Sequence, residues 1–310
     1  MSTQYTSANT LKIGTRGSPL ALAQARETRA RLMAAHDMPE DAFEIVVIQT
    51  TGDAVQYRPL SEIGGKGLFT KEIEEYLLSG AIDIAVHSMK DMPTVLPDGL
   101  VLSTYLPRED VRDAFISLKY TSIDELPQGA VVGSSSLRRR AQLAAVRPDL
   151  QLVEFRGNVQ TRLRKLEEGV AEATFLACAG LQRLGKSEIA NPIPVEQMLP
   201  AVAQGAIGIE QREGDKAVSA LLAPINDRDT EIRLTAERAF LKVLDGSCRT
   251  PIGGLATLDG DRLEFRGEVL RPDGSEIHRD VWIGTVAEAE SIGMKAGEVL
   301  KAKMGEGFFG

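Results

Sequence analysis

The segment Ala81–Pro93 carries the residues best suited to chemistry. Its first half places apolar β-branched residues at every second position, which predicts a strand in a covered sheet. Pro93 cannot occupy a central strand position, so the strand should end near His87. Four polar side chains stand between the strand and the proline: His87, Ser88, Lys90 and Asp91. Because ligands bind at the carboxyl ends of strands in an open α/β sheet, this cluster predicts a binding or catalytic loop. A solvated turn is the alternative.

Arginines crowd the first turns of a predicted helix in the segment GSSSLRRRAQLAAV, which follows a short strand at Val131 and Val132. Ser136 stands at the turn, and Arg138 and Arg139 fall in the first helical turn. Cations at this end of a helix oppose its dipole by roughly 0.3–1 kcal/mol each, so their placement predicts an anion that offsets them.

The same arrangement recurs further along, where RGNVQTRLRKLEEG places Arg156 at a turn and Arg162 in a helix. From residue 131 to residue 165, eight Lys and Arg stand against two acidic residues, in a chain whose net charge is −8. This local excess predicts a small polyanionic ligand held by guanidinium groups. A solvated helix face is the alternative, and it fits Arg140 and Arg164.

A third strand-to-helix turn lies near the start of the chain, after the predicted strand Leu11–Thr15. Ser18 followed by Pro19 predicts a helix N-terminus, with a core face formed by Leu20, Ala23, Ala30 and Met33. The free backbone N–H groups at this helix N-terminus, together with the nearby Arg16 guanidinium group, would form a simple anion-binding site. An ordinary surface arginine is the alternative.

Two loops and one motif complete the candidates. The loop Ile63–Phe69, IGGKGLF, gives Lys66 the mobility of a lid or of a plain surface loop. Cys248 lies in the Gly- and Pro-containing loop DGSCRTPIGG and is either functional or incidental. Gly180–Ser187 matches the phosphate-binding pattern G-x-x-x-x-G-K-S, but its interior resembles a helical turn, so a nucleotide site is disfavoured.

The elements that position these residues alternate between strand and helix, which predicts a mostly parallel sheet covered on both faces. The helix Lys71–Leu78 precedes the Asp91 strand, and the segment Leu199–Glu210 could return the chain to the first unit. Beyond a helix over Asp229–Leu244, hairpin turns at Asp259-Gly260 and Pro272–Gly274 and a closing helix predict a small α+β domain.

Composition narrows the classes of protein. A length of 310 residues predicts two or three domains. The net charge of −8 argues against general binding to nucleic acid or acidic membranes. Two cysteines are too few for a disulfide framework, and the opening residues lack the pattern of a signal peptide, so we expect a cytoplasmic protein. Nothing demands more than a monomer.

Taken together, seven segments resemble one family, porphobilinogen deaminase, also called hydroxymethylbilane synthase. They are, in the family's order and spacing, IGTRGSPLALAQA, GGKGLF, AVHSMKDMP, SSLRRR, FRGNVQTRL, PAVAQGAIGIE and GSCRTPIGG. They extend from Ile13 to Gly254. Departures are small: Ser247 and Ala203 stand where the family usually has glycine, and Ser134 stands where threonine is common.

The resemblance implies an α/β fold of three domains. Two are α/β units similar to periplasmic binding proteins, with an active cleft between them and hinges near Leu106 and Val202. The domains would be residues 10–106 with 207–224, residues 107–206, and an α+β domain over residues 225–310. The last would carry Cys248.

The resemblance also implies the activity: four porphobilinogens are condensed head to tail, with release of ammonia, on a dipyrromethane cofactor bound to Cys248 through a thioether. Asp91 would be the catalytic carboxylate and would stabilise positive charge on pyrrole nitrogens. The cofactor would be held by Lys90, Asp91, Ser136, Arg138 and Arg139. The substrate would be held by Arg16, Ser18, Lys66, Arg156, Arg162 and Gln204.

A two-lobed binding protein for a polycarboxylate is the alternative from another class. The arginines would serve it equally well. It gives no reason for Asp91 near an arginine-rich cleft or for Cys248 in its loop, and it usually needs a signal peptide. A cofactor mass on the purified chain would distinguish the two.

Overall fold

A computed structural model describes residues 5–54, 70–246 and 250–309. Its strands are β1 (Leu11–Arg16), β2 (Phe43–Ile48), β3 (Ile84–Ser88), β4 (Leu100–Tyr105), β5 (Asp113–Ser117), β6 (Val131–Gly133), β7 (Gln151–Val153), β8 (Ala173–Ala177), β9 (Asn191–Pro192), β10 (Ile207–Arg212), β11 (Ile252–Asp259), β12 (Arg262–Leu270) and β13 (Ile277–Thr285). Its helices are α1 (Pro19–His36), α2 (Thr51–Ala54), α3 (Lys71–Leu78), α4 (Leu137–Val146), α5 (Val159–Glu167), α6 (Cys178–Arg183), α7 (Lys216–Leu222), α8 (Arg228–Val243) and α9 (Ala289–Lys303). This content confirms the α/β class.

The chain divides into two compact units. Residues 5–54, 70–108 and 206–231 form the first unit, so the chain leaves it and later returns. Residues 109–205, 232–246 and 250–309 form the second, which contains both an α/β sheet and the C-terminal sheet. The division into three domains with the boundaries given above stays a prediction.

The sheet of the first unit has the strand order β2-β1-β3-β10-β4. β1 is parallel to β2 and β3, whereas β10 is antiparallel to β3 and β4. The strands β1, β2, β3 and β4 therefore run in one direction, which confirms a mostly parallel sheet, and the returning segment enters as β10 in the opposite direction. Apolar side chains cover both faces, since Ile84 and Val86 join one buried cluster and Ile82 and Ala85 join another.

The α/β sheet of the second unit repeats this plan with the order β7-β6-β8-β5-β9. β6 is parallel to β7 and β8, and β5 is antiparallel to β8 and β9. Asp113, the first residue of β5, pairs with Ala177, the last residue of β8. This register places Asp113 at the edge of the sheet where the parallel strands end and helices α4 and α5 begin.

The C-terminal sheet has the order β11-β12-β13 and is antiparallel throughout. Its two hairpins confirm the turns predicted at Asp259-Gly260 and Pro272–Gly274. Helix α9 packs closely on α8, because a Cβ added to Gly293 would lie 2.0 Å from the backbone oxygen of Ala236. Glycine is therefore required where these two helices meet.

Helix α1 begins as predicted, with the Ser18 side chain accepting a hydrogen bond from the Ala21 backbone N–H. The predicted core face is wrong at Ala30, which is exposed, whereas Met33 packs against a buried cluster as predicted. The buried residues of the helix are Ala21, Gln24, Ala25, Thr28 and Leu32. A search for apolar residues alone missed this face, because two of its members are polar.

The phosphate-loop pattern at Gly180–Ser187 does not form a glycine-rich cradle. Gly180 lies inside helix α6, and Ser187 begins a 3₁₀ turn. Cys178 is buried at the start of that helix, as expected for a core thiol. Within the described ranges, no helix is long and apolar enough to cross a membrane.

Candidate active site

A pocket of the first unit brings together several residues that the sequence singles out. Polar side chains from three segments line it: Arg16, Ser18, Gln24, Thr70, His87, Ser88 and Asp91. Leu20, Ala21, Val86 and Met92 supply its apolar lining. A carboxylate, a guanidinium group and hydroxyl groups thus share one pocket with an apolar wall.

The fold explains why these residues meet. β1 and β3 are parallel neighbours, so their carboxyl ends lie at the same edge of the sheet. Arg16 ends β1, and a 3₁₀ turn over Met89–Asp91 follows β3 directly. Met92 has the extended backbone expected before Pro93, and Asp91 is exposed at the pocket. Lys90 is half-buried in the same turn.

The sequence analysis missed Gln24. The Gln24 side chain is buried in α1, and its Nε2 donates a hydrogen bond to the Oγ of Ser88 at 2.8 Å. This contact joins the first helix to the end of β3 and fixes Ser88 beside Asp91. A glutamine six residues after the helix cap Ser18, on the buried face of the helix, is the pattern that could have identified it.

Behind the pocket lies a buried group of titratable residues. His87 Nε2 lies 2.9 Å from Oε2 of Glu210, and their side chains are 5% and 0% exposed. Glu74, on α3, is also buried. Burial raises the pKa of the Glu74 carboxyl, and the Glu210 carboxylate raises it further, against downward contributions from Thr70 and His87. Neither carboxylate was selected from the sequence, because only the tertiary fold brings them to His87.

In the second unit, the anion predicted beside the α4 arginines is present within the protein itself. Asp113 Oδ1 accepts hydrogen bonds from Arg139 Nε at 3.0 Å and Nη2 at 2.6 Å, and Arg138 Nη2 lies 2.8 Å from Oδ2. Gln204 Nε2 donates to the same Oδ1 at 3.0 Å. Burial raises the pKa of the Asp113 carboxyl, but these three partners outweigh it and hold the pKa below its usual range.

The two arginines are buried as well, at 4% and 6% exposure for Arg138 and Arg139. Arg138 Nη1 donates to the backbone oxygen of Leu199 at 2.8 Å, and Arg139 Nη1 donates to that of Phe175 at 2.9 Å. Ser136 caps α4 by accepting from the Arg139 backbone N–H. These contacts fix both guanidinium groups before any ligand binds.

Arg139 also belongs to a group of three arginines at the ends of β6, β7 and β8. Burial, together with the charges of Arg139 and Arg156, lowers the pKa of Arg162 to about 10, against an upward contribution from Glu154. Arg162 Nε donates to the backbone oxygen of Gly157 at 3.0 Å. Desolvated cations that repel one another are stabilised by a bound anion, so this arrangement has the electrostatics of an anion site.

The two arginines expected to be ordinary surface residues have local partners. Arg140 lies 3.3 Å from a carboxylate oxygen of Glu154, and Arg164 lies 3.5 Å from one of Glu168. Lys66 and Cys248, which the resemblance assigns to the substrate and the cofactor, lie outside the described residues, as does Ser247.

Comparisons with known proteins agree with the motifs. Residues 11–220 match the family described as porphobilinogen deaminase, dipyromethane cofactor binding domain, and residues 231–302 match porphobilinogen deaminase, C-terminal domain. The chain is 65% identical over 302 residues to the porphobilinogen deaminase of Paracoccus denitrificans (strain Pd 1222), covering 97% of this chain and 96% of that protein.

Among solved structures, the chain is similar to the methionine-binding protein MetQ, with a TM-score of 0.44, 14% identity and coverage of 72% of this chain and 92% of that one. It is also similar to the periplasmic VFT2 domain of Bordetella pertussis BvgS, with a TM-score of 0.40, 14% identity and coverage of 70% and 86%. The family assignment rests on the two family matches and on the 65% identity over nearly the full length of the chain. The chain belongs to the porphobilinogen deaminase family.

Proposed function

We propose that Asp91 is the central catalytic carboxylate of this porphobilinogen deaminase, and that arginines of both units bind the carboxylates of substrate and cofactor. The enzyme is a transferase that joins four porphobilinogens head to tail into the linear tetrapyrrole hydroxymethylbilane and releases ammonia at each step. Each pyrrole carries an acetate and a propionate group, so the growing chain accumulates negative charge.

The observation that carries the proposal is the group formed by Arg139, Arg156 and Arg162. Burial and mutual repulsion lower the pKa of Arg162 to about 10, so a bound carboxylate would stabilise this guanidinium group. Guanidinium groups bind carboxylates through paired hydrogen bonds, each contributing roughly 1.5–3 kcal/mol when charged. A chain of pyrroles with two carboxylates per ring matches this requirement.

Residues of the second unit at the start of α4 have the chemistry to bind the dipyrromethane cofactor. Ser136, Arg138 and Arg139 would hold the cofactor's carboxylates with the donors that their contacts to Asp113 and to backbone oxygens leave. The resemblance also assigns Lys90 and Asp91 to the cofactor. The cofactor would be attached through the sulfur of Cys248. When bound, it supplies the free α-carbon to which the first porphobilinogen is joined.

Asp91 has the position and exposure that the chemistry requires. When ammonia leaves, the substrate methylene becomes electron-poor and positive charge spreads onto the pyrrole nitrogen. An ionised carboxylate that accepts the pyrrole N–H stabilises this charge, most strongly where water is scarce. Arg16 and Ser18 line the same pocket and would bind the carboxylates of the incoming substrate. Lys66 and Gln204 would complete the substrate contacts.

We also propose that the chain acts as a monomer in the cytoplasm, with neither nucleic acid nor membrane as a partner. Its net charge of −8 and its two cysteines support this assignment. Sedimentation of the purified holoenzyme would test the oligomeric state, and a dimer at micromolar concentration would contradict it.

Intact mass tests the cofactor and its anchor directly. The purified wild type and Cys248→Ser are compared under reducing conditions. We expect an excess mass equal to two linked pyrroles on the wild type and none on the variant. A wild type of bare-chain mass that gains neither mass nor activity on incubation with porphobilinogen would contradict the proposal and favour a binding protein.

A further inference from the structure

The buried group formed by His87, Glu210 and Glu74 has no role in the function proposed above. His87 is the only one of the three that lines the pocket shared with Asp91. Its Nε2 lies 2.9 Å from Glu210 Oε2, and the side chains of this pair are 5% and 0% exposed. A buried imidazole held by a buried carboxylate at the wall of a reactive pocket is the arrangement that orients a general base.

The hydrogen bond to Glu210 determines which ring nitrogen of His87 can act. A neutral ring that donates from Nε2 to the carboxylate leaves Nδ1 unprotonated and able to accept a proton. In the neutral ring state, the carboxylate keeps the ring in this tautomer and orientation. Once Nδ1 has accepted a proton, the same carboxylate stabilises the imidazolium.

The surrounding charges favour this role. The charged and titratable groups near the ring are Glu210 on β10, Glu74 on α3, and Asp91 and Arg16 at the pocket. Burial raises the pKa of Glu74, and the Glu210 carboxylate raises it further, which favours the neutral carboxylic acid. Glu210 is the member of this group whose carboxylate lies against His87.

Asp91 is itself a candidate for handling protons, but a second acceptor would allow it to stay ionised throughout the reaction. Asp91 must remain ionised while positive charge is present on the pyrrole nitrogens, because a protonated carboxyl would lose most of its stabilising effect. The proton on the attacking α-carbon has to leave while that charge persists. A second basic group in the same pocket could accept this proton without neutralising Asp91, and His87 lines that pocket.

We propose that His87 is the base that removes this α-proton, with Glu210 as the residue that positions it. The proposal rests on the proposed function and adds a residue to it. General bases contribute about 10²–10⁴-fold to the rate of such steps.

The incoming aminomethyl group reacts in its protonated form, so its C–N bond breaks and the electron pair leaves with neutral ammonia. The π electrons of the terminal pyrrole of the growing chain form the new C–C bond. The C–H bond at the attacking carbon then breaks, its electron pair restores the aromatic ring, and the proton moves to Nδ1 of His87. Transfer of that proton to the released ammonia gives ammonium and restores the neutral imidazole.

The first experiment measures the kinetic isotope effect with porphobilinogen deuterated at its free α-carbon. For His87→Gln we expect kcat to fall by about 100-fold or more and the isotope effect to exceed that of the wild type, because proton removal becomes rate-limiting. His36→Gln is the matched control: His36 is in the same unit and contacts the Leu221 backbone oxygen at 2.7 Å, away from the pocket. The control should keep the wild-type rate and isotope effect.

A second variant covers the case in which His87→Gln fails to fold. Glu210→Gln keeps the shape of the carboxylate but not its charge, so kcat should fall by about tenfold or more, again with a larger isotope effect. A merely structural role would change stability and leave the isotope effect unchanged. Nitrogen NMR of histidine-labelled wild type, which has three histidines, should show His87 with a protonated Nε2 and a bare Nδ1 in its neutral form.

The outcomes separate the two proposals. If the wild type turns over porphobilinogen while both variants keep the wild-type isotope effect, or if NMR finds the other tautomer, the role of His87 is overturned and the proposed function stands. If the cofactor-loaded wild type produces no tetrapyrrole, the proposed function fails, and the role of His87 fails with it.

Discussion

Asp91 in the first unit and Asp113 in the second both stand where the parallel strands of their sheets end, yet their surroundings are opposite. Asp91 is exposed at a pocket and follows β3 through a single turn. Asp113 is completely buried, and Arg138, Arg139 and Gln204 surround it. The two sheets share one strand plan, so the difference arises from the side chains that fill the same edge.

The comparison shows that the same edge of a sheet can hold either a catalytic carboxylate or a carboxylate that stabilises the fold. In the second unit, the internal carboxylate fixes the arginines, so their remaining donors are oriented before a ligand arrives. In the first unit, the carboxylate itself stays available. A carboxylate fully neutralised by guanidinium groups could not stabilise charge on a substrate, whereas an exposed one can.

The largest effect should follow from Asp113→Asn, which tests the structural half of the comparison. Removing one partner of a buried ion pair typically costs about 3–5 kcal/mol, because the remaining charge is left uncompensated. We expect the free energy of unfolding, measured by urea denaturation, to fall by about that amount. Asp149→Asn breaks a surface pair with Arg147 and should cause a much smaller change. Equal losses in the two variants would contradict the structural role of Asp113.

The same carboxylate predicts a dependence on pH. Because the folded pKa of Asp113 lies below its ordinary value of 3.8, its contribution to stability is present above pH 3.8 and is lost as the pH falls through the folded pKa. The stability of the wild type should therefore decline more steeply below about pH 4 than that of Asp113→Asn.

Asp91→Asn tests the chemical half. The side chain is exposed, so we expect the fold to survive, with an unchanged melting temperature. Turnover should fall by about 10²–10³-fold, the usual effect of removing one group that stabilises developing charge. Asp98→Asn, an exposed aspartate in the same unit and outside the pocket, is the control. Near-normal activity of Asp91→Asn would refute the role assigned to Asp91.

A pair of variants in the second unit should separate binding from structure. Arg162→Leu removes a cation that is repelled by its neighbours, so the unfolding free energy should not fall, while the KM for porphobilinogen should rise by about tenfold or more. Arg138→Leu should lose stability as well as cofactor assembly, because Asp113 loses a counter-ion. If Arg162→Leu loses as much stability as Arg138→Leu, the distinction between the two arginines fails.

Arg162 should also make the stability of the fold depend on pH, but at alkaline rather than acidic pH. The folded pKa of Arg162, about 10, lies below its ordinary value of 12.5, so the unfolded chain binds more protons between these values. The stability of the wild type should include a rise with pH through this window that Arg162→Leu lacks. Stability curves in urea at pH 10 and above would check it.

Local sequence patterns were enough to predict several helices and strands and many of the residues that line the pocket. The cap at Ser18, the helix Lys71–Leu78 and both C-terminal hairpins follow from residue chemistry within a few positions, and the structure confirms them. Arg16, Ser18 and Asp91 each lie at or just after the end of a predicted strand. Their meeting in one pocket follows from the parallel pairing of β1 and β3.

Long-range partners could not be predicted in this way. The need for an anion near Arg138 and Arg139 was visible in the sequence, but Asp113 is 26 residues from Arg139 and carries no mark of its role. Glu210 is 123 residues from His87, and it reaches His87 only because β10 returns antiparallel to β3. The same antiparallel return makes β10 the exception in a sheet whose other four strands run in one direction.

The smallest effect concerns Ala203, where the family usually has glycine. Its φ of 60° lies in the left-handed region, which costs a non-glycine residue roughly 1–2 kcal/mol. Its backbone N–H donates to buried Glu237 Oε2 at 2.6 Å, and this bond helps to hold the strained backbone. Glycine at this position would relieve the strain. It would also increase the conformational entropy of the unfolded chain, which lowers stability by roughly 0.4–1 kcal/mol and offsets part of the gain.

We therefore expect Ala203→Gly to raise the free energy of unfolding by less than about 1 kcal/mol, measured by urea denaturation. Gly205→Ala, two residues on, is the opposite control. Its φ is 87°, and an added Cβ would lie 2.5 Å from the backbone oxygen of Glu109, so this variant should be clearly destabilised. A destabilised Ala203→Gly would mean that the bond to Glu237 removes most of the strain, and that this segment tolerates alanine without cost.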